Sequence, residues 1–239
     1  MTSLLKKCPL CLYLLLGCST LQAAELVFSA PDEAAVQEVS ERVLREAYQN
    51  IGYHIRVERL HNPRALMLSN AGEFDGELSR VKGISAEFKN LLPVPAPVNF
   101  NEGYAFTKNP EIQIDGWESL RPYRLICVIG VQVIRLAMSE RNIVCQYVAT
   151  HEQALQMLHL NRIDIAVLPK INGLHALRKE QLPDIRLSGN GLIKEDLYHF
   201  LHNKNAHILP AISDELARMA AAGRIQQIRE NYLVENNFN

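Results

Sequence analysis

The stretch LYHFLHNKN, residues 197–205, reads as a strand reached late in the chain, and the sequence that follows it reads as helix. One strand cannot make a sheet, so this one must return to a sheet laid down earlier. Behind it, ILPAISDELARMAAAGRIQQIRENYL places Ile212, Leu216 and Met219 on one helical face and stops at Gly223. Ile225, Ile228 and Tyr232 then lie on the next helix.

The earlier strands supply two sheets. In the first half, Leu26 to Ser29 is a short apolar run that stops at Pro31-Asp32-Glu33, where Pro suits a first helical turn and the acids suit its positive end. Val36, Val39, Val43 and Ala47 recur at helical spacing. HIRVERL (54–60) alternates and reads as a strand buried on one face, at a sheet edge; Asn62-Pro63 opens a helix ending near Gly72, and Phe74 to Leu78 is a third strand leading into Arg80. This strand and helix alternation implies a doubly wound, mostly parallel sheet in an α/β protein. After the Pro-rich LLPVPAPVNFNEG (91–103) the pattern repeats. Strands at 125–129, 143–148 and 163–168, the last with Asp164 inside it, alternate with helices at about 132–139 and 150–160.

At 239 residues, with 48% hydrophobic and 21% charged side chains, the chain is long enough for one large domain or two lobes. The formal charge is -1; removing Lys6 and Lys7 with a leader leaves 23 basic residues against 26 acidic, or -3. Neither value is the electrostatic footprint of a nucleic-acid binder. Residues 1–24 run from a Lys pair through an apolar stretch too short to span a bilayer to small residues at Ala23 and Ala24, the order of a secretory signal peptide. Leu15-Leu16-Gly17-Cys18 also reads as a lipobox, which would anchor the chain at a lipidated Cys18; ordinary cleavage is the favoured reading, and both place the protein in the periplasm. Cys127 and Cys145 remain after cleavage and form a candidate disulfide, with two buried free thiols as the equal alternative.

The tail LHNKNAHILPAISDELARMAAAGRIQQIRENYL (201–233), WESLRPYRLICVIGVQ (117–132) and LHLNRIDIAVL (158–168) resemble, in this order and spacing, segments of the extracellular solute-binding proteins of family 3, the polar amino-acid binding type. The resemblance covers nearly the whole mature chain. It implies a two-lobed periplasmic-binding-protein-like (type II) fold: lobe 1 from 25–98 plus 197–239, lobe 2 from 103–193, and hinges at VNFNE (98–102) and IKEDLY (193–198). It also implies a ligand gripped between the lobes, a monomer, and no cofactor or metal.

In an open parallel sheet, ligands sit beyond the carboxyl ends of the strands. That rule selects Ser29 to Glu33, His61 to Arg64, Glu77 to Arg80, Gly130 to Gln132, Thr150 to Glu152 and Pro169-Lys170. From these, Arg64, Glu77, Arg80, Gln132 and Lys170 are the candidate ligand contacts, with Glu77 and Arg80 expected to face the cleft. Each has a plainer reading: a solvated ion pair for Glu77 and Arg80, a snorkelling cation for Arg64 and Lys170. Where the resembled family uses an Arg for the ligand carboxylate this sequence has Phe88, and where it uses an acid for the ammonium it has Pro169. Those departures speak against an α-amino acid.

The resulting expectation is a periplasmic module that captures a small polar or anionic solute for an ABC transporter permease or a membrane sensor. A dehydratase-like periplasmic lyase using Glu77, and a ligand-independent interaction protein, are the alternatives. No nucleophile, metal cluster or phosphate loop supports catalysis.

Overall fold

A computed structural model describes residues 24–31 and 35–238. The leader expectation, Cys18 included, lies outside the described residues, as do Asp32 and Glu33. The first unit comprises β1 (Ala24–Pro31), α1 (Val36–Asn50), β2 (Tyr53–Leu60), α2 (Asn62–Ala71) and β3 (Gly76–Val81). A long β4 (Leu91–Thr107) leads to β5 (Leu125–Val128), α3 (Gln132–Glu140), β6 (Gln146–Val148), α4 (His151–His159), β7 (Ile165–Pro169) and α5 (Lys170–Glu180). An equally long β8 (Arg186–His202) returns to α6 (Leu209–Ala221) and α7 (Arg224–Glu235). Among the described residues, no helix is long and apolar enough to cross a membrane.

The eight strands lie in the order β2-β1-β3-β8-β4-β7-β5-β6. Within each half the pairs are parallel (β1 with β2 and β3, β5 with β6 and β7), while β8 runs antiparallel to β3, and β4 antiparallel to β7 and β8. β4 and β8 pair along their whole lengths, from Leu91 opposite His202 to Thr107 opposite Arg186, and so thread both lobes. The two expected hinge segments lie side by side in this ladder, with Asn99 opposite Leu197, Phe100 opposite Asp196 and Glu102 opposite Lys194. Pro93, Pro95 and Pro97 fall in the half of β4 that pairs only with β8, an edge where missing N–H donors are tolerated.

Each lobe has its own core. In lobe 1, Phe28, Leu44, Tyr48, Leu78 and Leu201 pack with Ile212, Leu216 and Met219 of α6, so the helical stripe read from the tail is the buried one. In lobe 2 the apolar strands are covered on both faces: Ile126, Val128, Ala166 and Leu168 face one cluster, and Leu125, Cys127, Ile165 and Val167 the other.

Several boundaries differ from the expected ones. β3 begins at Gly76, where a Cβ would stand 2.0 Å from the Phe200 carbonyl oxygen, and it runs to Val81. Ser79 and Arg80 therefore lie within the strand instead of beyond its expected end at Leu78, because pairing with β8 prolongs the ladder. Pro31 closes β1, and the helix starts only at Val36. Asp164 precedes β7; its carboxylate accepts from the Arg124 backbone N–H at 2.8 Å and from the Arg124 guanidinium, tying the starts of β5 and β7. Helix α5 had no counterpart in the sequence reading, since Ile171, Leu174 and Ala176 are interleaved with Asn172, Gly173 and His175.

Candidate ligand cleft

Register fixes where the strand ends of the two halves meet. Val81, the last residue of β3, pairs with Leu197, and Pro169, the last residue of β7, pairs with Gly103. The carboxyl ends of the parallel strands of both lobes thus point at the two-strand crossing. Helices α3, α4 and α5 each begin just beyond a strand end of lobe 2, so their free N–H groups and dipoles favour negative charge there.

Glu77 is fully buried in lobe 1. Its carboxylate accepts from Ser29 Oγ of β1 and from Arg80 Nε at 2.6 Å, and lies 3.4 Å from Ser69 Oγ of α2. Ser69 Oγ also sits 2.6 Å from Ser29 Oγ and 2.9 Å from the Gly76 carbonyl oxygen. Burial pushes the Glu77 carboxyl above the usual range, opposed by the Arg80 charge and the Ser29 hydroxyl. Glu77 therefore has the geometry of a counter-ion that orients Arg80, whose side chain is 11% exposed near the end of β3.

The other candidates are spread along the rim. Arg64 is exposed in the first turn of α2. Gln132 opens α3, is exposed, and accepts from Arg135 Nε at 2.8 Å. Lys170 opens α5, half-buried, with its ammonium 5.2 Å from the centre of the Tyr104 ring. His151 and Glu152 form the first turn of α4, where Glu152 pairs with Lys179 at 2.9 Å. The structure joins Glu77 and Arg80 directly; Gln132 and Lys170 belong to separate helix starts.

A further buried charge at the crossing is one that sequence reasoning missed. Arg229 of α7 is 3% exposed and donates to Asn99 Oδ1 at 2.7 Å, the Phe100 carbonyl oxygen at 3.1 Å and Glu102 at 3.0 Å. Its guanidinium also lies 3.9 Å from the Phe100 ring centre, and Lys194 lies 4.0 Å from the same ring. The signal was present: Arg229 stands four residues after Ile225 and three before Tyr232, on the stripe that faces inward. On β8, Glu195 is half-buried, and burial alone pushes its carboxyl up.

With this geometry, comparison with known proteins is informative. No protein-family model matches the chain. The probable amino-acid ABC transporter extracellular-binding protein of Bacillus subtilis superposes with a TM-score of 0.72 at 12% identity, over 89% of this chain and 98% of that one. A histidine kinase sensor domain with similarity to periplasmic binding proteins gives 0.66 at 16% identity, over 88% and 96%. The fold is that of the two-lobed periplasmic binding proteins. An ancestral arginine-binding protein bound to arginine matches at 0.65 and 13% identity, over 87% of this chain and 97% of that one. By sequence, an uncharacterized protein of Shewanella oneidensis is 24% identical over 202 residues, 80% of this chain and 74% of the relative. For this two-lobed fold, the strand ends and helix starts converging on β4 and β8 are the candidate ligand-binding surface.

Proposed function

We propose that the chain is an exported solute-binding module that holds a small polar or anionic solute between its lobes, by Arg80 on one side and Gln132, Lys170 and their helix starts on the other. The observation that carries this reading is the convergence of parallel strand ends from both halves on a single antiparallel crossing. The solute would be anionic because the helix starts of lobe 2 face it with free N–H groups, and because Arg80, held by Glu77 through Nε and Nη2, keeps a guanidinium charge near the end of β3. Lobe 1 would comprise 25–98 and 197–239, lobe 2 103–193, with bending at 98–102 and 193–198.

Output would pass to an ABC transporter permease or to a membrane sensor. The likeness to both a transporter's binding protein and a kinase sensor domain supports carrying the two together. Catalysis is disfavoured by Glu77, the candidate acid or base, since its carboxylate is enclosed by Ser29, Ser69 and Arg80.

A thermal-shift screen of amino acids, dicarboxylates, polyamines and short peptides tests the reading, because a ligand bound only by the folded state raises Tm by mass action. A dicarboxylate or similar anion is expected to shift the transition, and calorimetry should then give one site per chain. Hits among cationic polyamines, with none among anions, would overturn the assigned charge preference.

A further inference from the structure

Helix α1 begins without a side-chain cap of its own: its N-cap residue is Ala35. The backbone N–H of Val36 instead donates to Asn172 Oδ1 at 3.2 Å, and Asn172 belongs to α5, on the far side of the crossing. The Val36 carbonyl accepts from Asn99 Nδ2 at 2.9 Å, and Asn99 Oδ1 accepts from Arg229. One residue at the start of lobe 1's first helix is thus held by lobe 2 through its N–H and by the crossing strands through its carbonyl.

An apolar cluster surrounds this contact. Ile171, 2% exposed, and Leu174 of α5 pack with Val36 and Val39 of α1, Leu197 of β8, and Tyr232 and Phe238 at the chain end. Farther along α5, Arg178 donates to the Asn236 carbonyl oxygen and to Asn236 Oδ1, both at 3.3 Å. Swinging α5 away would uncover Ile171 and leave the Val36 donor without Asn172, and both changes cost free energy.

We infer that α5 is a latch: Asn172 caps α1 across the lobes, and Ile171 with Leu174 fills the patch made by α1 and the C-terminal segment, so that the lobes stay together without ligand. In a protein closed this way, ligand enters a pair of lobes already in contact, and the energy of closing is supplied in part by the chain itself. This concerns the empty protein and stands whichever solute is bound.

The test uses the mature chain without ligand. Small-angle scattering of the wild type should match the compact structure, and Leu174→Glu should enlarge the radius of gyration. Hydrogen exchange supplies the second readout: Asn172→Ala should speed exchange of the Val36 amide about fivefold, as loss of a capping acceptor does, and Asn172→Asp should restore protection. If Leu174→Glu fails to fold, the exchange pair decides. An expanded wild type, or Val36 exchange indifferent to Asn172→Ala, would overturn the latch.

Discussion

The phenol oxygen of Tyr48 lies 2.7 Å from Nε2 of His199, and both side chains are fully buried in lobe 1. His199 Nδ1 is 3.0 Å from the Glu77 carbonyl oxygen and 3.1 Å from that of Leu78. Nδ1 must carry the proton it donates to those carbonyls, so Nε2 is the acceptor and Tyr48 the donor. The ring is therefore held neutral, and burial lowers its pKa to about 4.

This arrangement sets a pH dependence. An unfolded His titrates near 6.5, so between that value and about 4 the unfolded chain binds the extra proton and the folded one does not. Stability is fully present above pH 6.5 and falls as pH drops towards 4, by up to about 3 kcal/mol from this group. Urea unfolding at pH 7.5 and 4.5 should show the loss, and His199→Gln, although less stable, should show a shallower dependence. Parallel pH profiles for the two proteins would remove His199 as the cause.

Arg80→Ala should weaken binding of the solute by well over tenfold, a loss on the order of 2 kcal/mol for a charge-assisted hydrogen bond. From sequence alone the empty variant would melt like the wild type, but Glu77 is 0% exposed and would be left as a buried carboxylate without its guanidinium. The structure therefore predicts destabilisation of roughly 3 kcal/mol as well. Glu77→Gln combined with Arg80→Ala should recover part of the stability and none of the affinity. Calorimetry on the double variant separates the two; wild-type affinity there would move the site elsewhere.

Cys127 of β5 and Cys145, just before β6, are bonded, with Cα atoms 6.1 Å apart and a separation of 18 positions in sequence. β6 is a three-residue edge strand exposed along most of its length, so the bond supplies attachment that packing does not. Closing a loop of that size is worth about 3 kcal/mol by the chain-entropy argument. Reduction, or Cys127→Ser with Cys145→Ser, should lower Tm and speed amide exchange in β6 before the rest of lobe 2. Unchanged melting with and without reductant would contradict this.

Arg229→Ala should destabilise the protein by roughly 3 kcal/mol, because it strands Glu102 and Asn99 and removes one of the two cations at the Phe100 ring. Arg229→Lys should recover little, since an ammonium cannot reproduce the guanidinium fork that reaches three partners. Chemical denaturation of both variants decides; full recovery by Lys would reduce Arg229 to a generic charge.

Sequence by itself determined the local elements and their faces. Val36, Val39, Val43 and Ala47 marked a buried helical stripe, Ile212, Leu216 and Met219 another, and the unbroken apolar run ending at Leu168 a strand covered on both sides. Such periodicities follow from the geometry of a single helix or strand, which is why they are readable without knowing the partner. The late strand beginning at Leu197 also announced a return to an earlier sheet, and β8 pairs with β3 and β4.

Only the tertiary structure decided which charges are structural and which face the crossing. Ser29, Ser69 and Arg80 enclose the carboxylate of Glu77, a residue that the sequence reading put at the end of a strand and facing the cleft. Arg229 and Asn172 owe their importance to partners 130 and 136 residues away, Asn99 and Val36. Burial and pairing of a polar group depend on what the rest of the chain brings against it, and a window of neighbouring residues does not contain that information.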